Sequence, residues 1–336
     1  MRILLIMNPG IPVPPKLYGG IERMVYLLAE EYIKKGHKVT LLAGPESYSS
    51  GNTVTFGKHI KVGPKDEYRE IFFVWRFLRK NHSSFDLIHN FGRLVYLLPV
   101  LNNPVRKIMS YERPVSQRGI RWTTTMPNRN LIFTGCSNYC VSTGNVAGNW
   151  ATVYNAVDFS QYQLNKNVSA DAPLVFLGRI ERIKGAHTAV RVAKETGSRL
   201  IIAGNIPPGA QAYFDSEIKP HVDNELIKYI GPVNDAEKNN LLRQSRALLF
   251  PIKWEEPFGI VMIEAMACGT PVVGFQRGSV PEVIDDGVTG FITNNGQEMS
   301  AAIARLDNID RAGCRDHAFE RFSAEKIAND YLALAQ

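Results

Sequence analysis

The stretch Leu174-Val175-Phe176-Leu177-Gly178-Arg179-Ile180-Glu181-Arg182-Ile183-Lys184-Gly185 reads as a short strand running into a loop of glycines and cations. Four apolar residues in succession suit a strand covered on both faces, as in a parallel sheet. A helix over Ala186 to Glu195 follows, and the next strand is expected at Arg199 to Ala203. Strand, loop, helix and parallel strand is the repeating unit of an α/β sheet. Immediately before it, Ser160 to Pro173 is polar, with Gln161, Asn165, Lys166, Asn167 and Asp171, and reads as a linker.

The same rhythm runs on both sides of that pause. Ile3 to Met7 reads as a buried strand, followed by a proline-rich loop from Pro9 to Pro15. Gly19-Gly20 then opens a helix whose Ile21, Val25, Leu28, Ala29 and Tyr32 form one apolar stripe, and Gly36 stops it. Strands are expected at Val39 to Ala43, at Leu87-Ile88 entering His89, at Lys107 to Ser110 and at Leu131 to Thr134, with Phe73 to Leu78 helical. Beyond the pause come strands at Leu226 to Ile230, Ala247 to Phe250 and Pro271 to Gly274, and a helix from Phe258 to Ala267 stopped by Gly269. A chain of 336 residues exceeds the usual size of one core. A closed barrel gives the 160–173 break no reason to exist. The expected fold class is therefore α/β, with two doubly wound parallel-sheet (Rossmann-like) domains of similar size.

Apolar residues make up 45% of the chain and charged ones 21%, which excludes fibrous and disordered classes. Charge is uneven: residues 1–165 hold 20 Lys and Arg against 10 Asp and Glu, and the remainder holds 19 against 22. A basic first half suits an anionic partner, a phosphorylated acceptor or an anionic membrane face, with a solvated surface of uneven charge as the bland alternative, and Lys34, Lys35 and Lys38 form a modest patch there. Cys136, Cys140, Cys268 and Cys314 make neither a zinc-ligand array nor a disulfide framework. No apolar run reaches the length of a spanning helix, and no cleavable signal pattern opens the chain. The expected location is the cytoplasm, with peripheral membrane contact possible.

In an open parallel sheet, ligands bind beyond the carboxyl ends of the strands. Three places there carry chemistry. Gly19-Gly20 lets an anion or a sugar approach the backbone closely, although a glycine pair also serves as a plain turn. The loop from Gly178 to Gly185 brings Arg179, Arg182 and Lys184 to the end of a strand, a set suited to neutralising a diphosphate. It lacks the Lys-Ser/Thr ending of a Walker A loop, and its bland alternative is a solvated helix entrance. In Trp254-Glu255-Glu256-Pro257-Phe258-Gly259-Ile260-Val261-Met262-Ile263-Glu264-Ala265, Pro257 suits a first helical turn, which leaves the amides of Phe258, Gly259 and Ile260 available to an anion. Glu264, expected two turns into that apolar helix, needs donors from the protein or from ligand hydroxyls, and for Glu256 or Glu264 taken alone a plain salt bridge is the commoner role. Neither parallel-sheet beginning supplies the GxGxxG pattern and distal acid of a nicotinamide-dependent oxidoreductase.

Together these features resemble the retaining glycosyltransferases of family 4, which use nucleotide-sugar donors and have the two-domain GT-B fold. The resemblance covers nearly the whole chain. It rests on Glu256 and Glu264 within the motif above, on Gly178-Arg179 through Lys184-Gly185, on Gly19-Gly20, on Tyr154-Asn155-Ala156-Val157-Asp158 and on Gly269-Thr270-Pro271-Val272-Val273.

The resemblance implies an acceptor-side domain of residues 1–160 with about 321–336, and a donor-binding domain of residues 161–320. Phe322, Ile327, Tyr331 and Leu334 carry the helical phase of the returning segment. Arg179 and Lys184 would hold the donor diphosphate and stabilise its departure. Glu264 would take the ribose hydroxyls and Glu256 the hydroxyls of the transferred sugar. The amides of Phe258, Gly259 and Ile260 would face sugar and phosphate, and the backbone near Val233 would border the base. Gly19 and Gly20 would close over the diphosphate from the other domain. Cations can do a metal ion's electrostatic work here, so neither a metal nor a tightly bound cofactor is implied.

The family's Asp-x-x-His-x-His run stands here as Asp86-Leu87-Ile88-His89-Asn90-Phe91. His89 is retained as a catalytic candidate, whereas Phe91 cannot donate a hydrogen bond to a sugar. Asn90, Arg93, Tyr111 and Glu112 are the nearby polar substitutes. The implied reaction is retaining transfer of a hexose from a nucleoside diphosphate sugar, UDP-sugar favoured, to a hydroxyl acceptor in glycan, glycolipid or small-metabolite glycosylation. The acceptor is expected to be anionic, and no nucleic acid partner is implied. Two rival readings are a non-catalytic sugar-nucleotide-binding protein on the same fold and a glycan phosphorylase.

Overall fold

Ile3, Leu4, Leu5 and Ile6 have no solvent exposure, as strands covered on both faces require. They belong to β1 (Arg2–Ile6) in a computed structural model that describes residues 1–16, 19–59, 63–145 and 147–336. The chain divides into two compact units, one of residues 1–156 with 324–336 and the other of residues 157–323.

In the first unit α1 (Gly20–Lys34) follows β1 and turns Met24, Val25, Leu28, Ala29 and Tyr32 inward. Next come β2 (Lys38–Ala43), β3 (Asn52–Thr55), α2 (Pro64–Asn81), β4 (Leu87–Asn90) and β5 (Arg106–Tyr111). The series ends with α3 (Gln117–Thr125), β6 (Leu131–Gly135), α4 (Asn138–Gly144) and β7 (Trp150–Thr152). The strands form one sheet in the order β3-β2-β1-β4-β5-β6-β7, and all of its pairings are parallel. Strand order reverses at β1, which pairs Leu5 with Leu41 on one side and with His89 on the other. The helix expected over Phe73 to Leu78 is the interior of the longer α2, whose buried face is Asp66, Glu70, Val74 and Leu78.

The second unit repeats the pattern. It runs β8 (Leu174–Leu177), α5 (Ala186–Thr196), β9 (Leu200–Ala203), α6 (Gln211–Glu217), β10 (Ile227–Tyr229), α7 (Asp235–Gln244) and β11 (Leu248–Phe250). Then follow α8 (Ile260–Ala267), β12 (Val272–Phe275), α9 (Val280–Val283), β13 (Gly290–Thr293), α10 (Gly296–Ile303) and α11 (Arg311–Phe322). Its parallel sheet has the order β10-β9-β8-β11-β12-β13. Gly185 stands between β8 and α5 with φ +80, and a Cβ there would lie 2.0 Å from the carbonyl oxygen of Pro251. Only glycine permits both that backbone conformation and that approach.

Ser160 to Pro173 corrects the sequence reading. It is not a free linker, because two arginines of α11 stitch it to the second unit. Arg315 donates to the carbonyls of Phe159 at 2.9 Å and Tyr162 at 2.8 Å. Arg311, 7% exposed, donates to Asn165 O at 2.7 Å and Thr270 Oγ1 at 2.7 Å. Burial holds its guanidinium below the usual range, at about 10. The chain enters and leaves this unit side by side, where Val157 bridges Ser323 and donates to the carbonyl of Phe322 at 3.2 Å.

After leaving, α12 (Ala324–Leu334) lays Ile327, Ala328, Tyr331 and Leu332 into the core built by β1 and α1. Full burial of a side chain such as Ile327 contributes roughly 1.5–3 kcal/mol. Among the described residues no helix is long and apolar enough to cross a membrane.

Candidate functional site

Three loops of the second unit end at the carboxyl edge of its sheet: 178–185 after β8, 230–234 after β10 and 251–259 after β11. They carry the residues whose types pointed to anion and hydroxyl recognition. Lys184 and Glu256 meet there, with Nζ 2.6 Å from Oε2 and side-chain exposures of 17% and 11%. Trp254 shapes the pair in two ways. Its Nε1 donates to the same Oε2 at 2.8 Å, and its ring lies 5.1 Å from the Lys184 ammonium. A cation flanked by a carboxylate and an aromatic face in a mostly desolvated position is held firmly.

Glu256 is fixed from behind. Its carbonyl accepts from the amide of Ser279 at 2.9 Å, and Gly278 packs so close that a Cβ would sit 2.2 Å from the Glu256 oxygen. Glu255 takes the amide of Gly278 at 2.5 Å and Arg277 Nη1 at 3.2 Å. The 254–256 turn is therefore locked to the loop after β12.

The helix start differs from the sequence expectation. Pro257 and Phe258 precede the helix, and α8 begins at Ile260 with Gly259 in the left-handed region at φ +80. Phe258 is buried, and its carbonyl accepts from Ser279 Oγ at 2.8 Å. Gly259 and Ile260 are half-buried, and among the described residues their amides donate to no acceptor. The pair of amides open to an anion is thus Gly259 and Ile260, shifted toward the helix.

Glu264 lies on the first turns of α8 and is 7% exposed. Its Oε1 accepts from Lys238 Nζ at 2.6 Å and from Tyr162 Oη at 2.8 Å, and the Lys238 ammonium lies 5.8 Å from the Tyr162 ring. The donors required by a buried carboxylate are protein groups. Lys238 sits one turn into α7, held in place by the Asn234/Glu237 capping box, and Tyr162 comes from the stretch read as a linker. Neither was singled out from the sequence, and an i, i+3 relation of Lys238 with Asp235 is the only local signal it offers.

Val233 is half-buried between β10 and α7, just before that capping box. Arg179 is not in the Lys184 cluster: its side chain is 40% exposed and pairs with Glu181 at 3.2 Å. Among the described residues no group of three or more His, Cys, Asp or Glu is placed to hold a metal ion.

In the first unit Gly19 precedes α1, where a Cβ would lie 2.7 Å from Pro15 Cβ, and Gly20 is the first helical residue. His89 departs from the role expected of it. It has no exposure, its Nε2 lies 2.8 Å from Ser110 Oγ, and its ring is packed 4.3 Å from Phe91 and 4.4 Å from Tyr331. Burial lowers its pKa to about 3, which favours the neutral ring, and its Nδ1 is buried without a hydrogen-bond partner. Phe91 closes the same core at 5% exposure.

Glu112 and Asn155 sit beyond the carboxyl ends of β5 and β7. Both carboxylate oxygens of Glu112 and the Asn155 Oδ1 are out of contact with solvent and lack a well-formed hydrogen bond. Burial raises the Glu112 pKa to about 7, only partly offset by Asn155 and Cys136.

Residues 163–316 match the family described as Glycosyl transferases group 1, and residues 18–110 match Glycosyltransferase Family 4. Spore coat protein SA of Bacillus subtilis (strain 168) is 23% identical over 99% of both chains. D-inositol 3-phosphate glycosyltransferase of Mycobacterium tuberculosis (strain F11) is 31% identical over 46% of this chain. That match spans 33% of the mycobacterial protein's length. AviGT4, a glycosyltransferase involved in avilamycin A biosynthesis, superposes with a TM-score of 0.75 at 22% identity, covering 100% of this chain and 97% of its own. Anabaena HepE in complex with UDP and glucose gives 0.73 at 20% identity, with 99% and 98% covered. The chain has the GT-B fold and is related to glycosyltransferases of these two groups.

Proposed function

We propose that this chain transfers a hexose from a nucleoside diphosphate sugar to a hydroxyl acceptor with retention of anomeric configuration. The observation that carries the reading is the Lys184–Glu256 pair, at 2.6 Å, on the loops that also present the amides of Gly259 and Ile260. A diphosphate leaving group gathers negative charge as the glycosidic bond breaks. A partly desolvated ammonium and two helix-start amides are matched to that charge.

In this reading Lys184 turns from Glu256 to the diphosphate, and Arg179, part-exposed and paired with Glu181, supplies a second cation from the same loop. Glu256, still held by Trp254, then accepts from hydroxyls of the sugar. Glu264 accepts from the ribose, with Lys238 and Tyr162 fixing its orientation. The backbone at Val233 borders the base. UDP is the favoured nucleotide, a choice supported by the UDP bound in HepE. The chain's own cations carry the charge stabilisation, and the donor is bound by the second unit. The basic first unit receives the acceptor, which is anionic in consequence.

The test is a thermal-shift screen of nucleoside diphosphates and their sugars, followed by product analysis with an acceptor panel that includes inorganic phosphate. A ligand that binds only the folded state raises its stability. Stabilisation by UDP or a UDP-sugar, and a product of unchanged anomeric configuration, is the expected result. Stabilisation by no nucleotide, or sugar release dependent on inorganic phosphate, overturns it.

A further inference from the structure

The buried face of α2 explains why this helix folds, and its outer face is built for something else. Along it Lys65, Tyr68, Arg69, Phe72, Phe73, Arg76, Arg79 and Lys80 are all exposed. They recur at three- and four-residue spacing, so they form one continuous stripe about 22 Å long. Tyr68 is 72% exposed and Phe72 65%, the largest values among the exposed apolar side chains of the described residues. Five cations flank these rings.

The acids of the helix offset little of this charge. Asp66 and Glu70 are buried, with Arg69 Nη1 3.9 Å from Asp66 Oδ1, and Glu67 is engaged by Arg93. Between Phe72, Trp75, Arg76, Arg79 and Lys80 lies a shallow hollow of about 340 Å³. Trp75 is fixed at its edge by a 2.8 Å hydrogen bond from Nε1 to the carbonyl of Val95, and Phe73 stacks on Phe56 with centroids 5.7 Å apart. The aromatic groups therefore stand on a rigid base.

Exposed rings cost free energy in water unless something covers them. The charge around them selects the cover: a surface that is negative and that accepts aromatic side chains at the boundary of its apolar interior. The geometry points to an anionic lipid bilayer as the partner of this face, with Tyr68 and Phe72 entering the interface and Lys65, Arg69, Arg76, Arg79 and Lys80 on the headgroups. The first 165 residues, which include this helix, carry twice as many cations as anions. This inference does not depend on the transferase reading.

The experiment is vesicle flotation of the full chain at low and high salt, with bilayers of phosphatidylcholine alone or mixed equally with phosphatidylglycerol. Binding is expected on the mixed bilayers only and should fall with salt. Phe72→Ser with Tyr68→Ser should reduce it at least tenfold. Arg76→Glu with Arg79→Glu should reduce it more, since each headgroup-facing cation strengthens binding roughly fivefold. Lys166→Glu with Lys228→Glu, which changes net charge equally on the second unit, should leave it intact. Thermal unfolding of every variant reports folding, and these exposed positions should not shift it. No binding by the folded wild-type chain, equal binding to neutral bilayers, or equal loss in the Lys166/Lys228 variant overturns the assignment. So does a concentration-dependent dimer that only the stripe variants abolish, because a second copy of the chain is then the occupant.

Discussion

Lys184 directs its ammonium to the same carboxylate oxygen of Glu256 that the Trp254 indole already holds, at 2.6 and 2.8 Å. That oxygen keeps one donor when the lysine leaves. The arrangement thus permits Lys184 to exchange partners without stranding Glu256, which a simple buried pair would forbid.

Lys184→Ala is therefore expected to lower donor turnover about a hundredfold or more, the size typical of removing one group that stabilises a developing anion. Its effect on stability should stay near about 1–2 kcal/mol, because Trp254 remains on Glu256. Trp254→Phe should make the same lysine substitution costlier to the fold. Turnover of the UDP-sugar and urea unfolding of the single and double variants read both effects, and equal activity in wild type and Lys184→Ala would remove this lysine from the reaction.

Glu264 separates binding from folding. Glu264→Ala should weaken UDP affinity by about ten- to a hundredfold, as the loss of charged hydrogen bonds to ribose hydroxyls does. Lys238→Met should cost about 2 kcal/mol of stability by leaving the carboxylate with Tyr162 alone. Calorimetric titration with UDP beside denaturant curves distinguishes the two. Unchanged UDP affinity in Glu264→Ala excludes a ribose contact.

Gly185→Ala introduces a Cβ 2.0 Å from the Pro251 carbonyl at a backbone φ of +80. A loss of at least about 2 kcal/mol is expected, with the neighbouring Lys184 displaced and activity reduced beyond the loss of folded protein. Gly197→Ala is the control: it shares a positive φ of +63 and meets nothing within 4 Å. It should destabilise the protein less and leave specific activity unchanged.

Two buried groups of the first unit tilt the pH profile in opposite directions. Glu112 is raised from 4.5 to about 7. The folded state binds more protons than the unfolded one between those values, so its contribution to stability falls as pH rises from about 4.5 to 7 and is flat above. His89 is lowered from 6.5 to about 3. There the unfolded state binds more protons, so stability falls as pH drops below about 6.5. Glu112→Gln removes a penalty on the order of 3 kcal/mol at neutral pH. Unfolding measured from pH 4.5 to 8 should show the variant gaining most at the alkaline end; a gain independent of pH would refute the assigned proton linkage.

The strands were legible because parallel-sheet interiors demand unbroken apolar runs, and Leu174 to Leu177 coincides with β8. Asn52–Thr55, Trp150–Thr152 and Gly290–Thr293 did not declare themselves, being short and, in the first two, only half-buried. The motif around Glu256 and Glu264 was visible as a carboxylate pair, yet Lys238 and Tyr162 were not. Their roles arise from packing between segments distant in sequence. The polarity of residues 160–173 was equally misleading: the Asn165 side-chain amide donates to the Arg243 carbonyl of α7, the Gln163 backbone amide donates to Asn239 of α7, and the Asn165 carbonyl accepts from Arg311 of α11. His89 carried a functional signature, and only the Phe91 and Tyr331 rings on either side show it enclosed.

The last helix gives the chain an order of assembly. Ile327, Ala328, Tyr331 and Leu332 complete a core begun at Ile3, so the chain must emerge through residue 332 before the first unit can close. The second unit, encoded in one uninterrupted run, is free to mature while its host waits. A premature stop near residue 323 would therefore spare the second unit and ruin the one that was synthesised first.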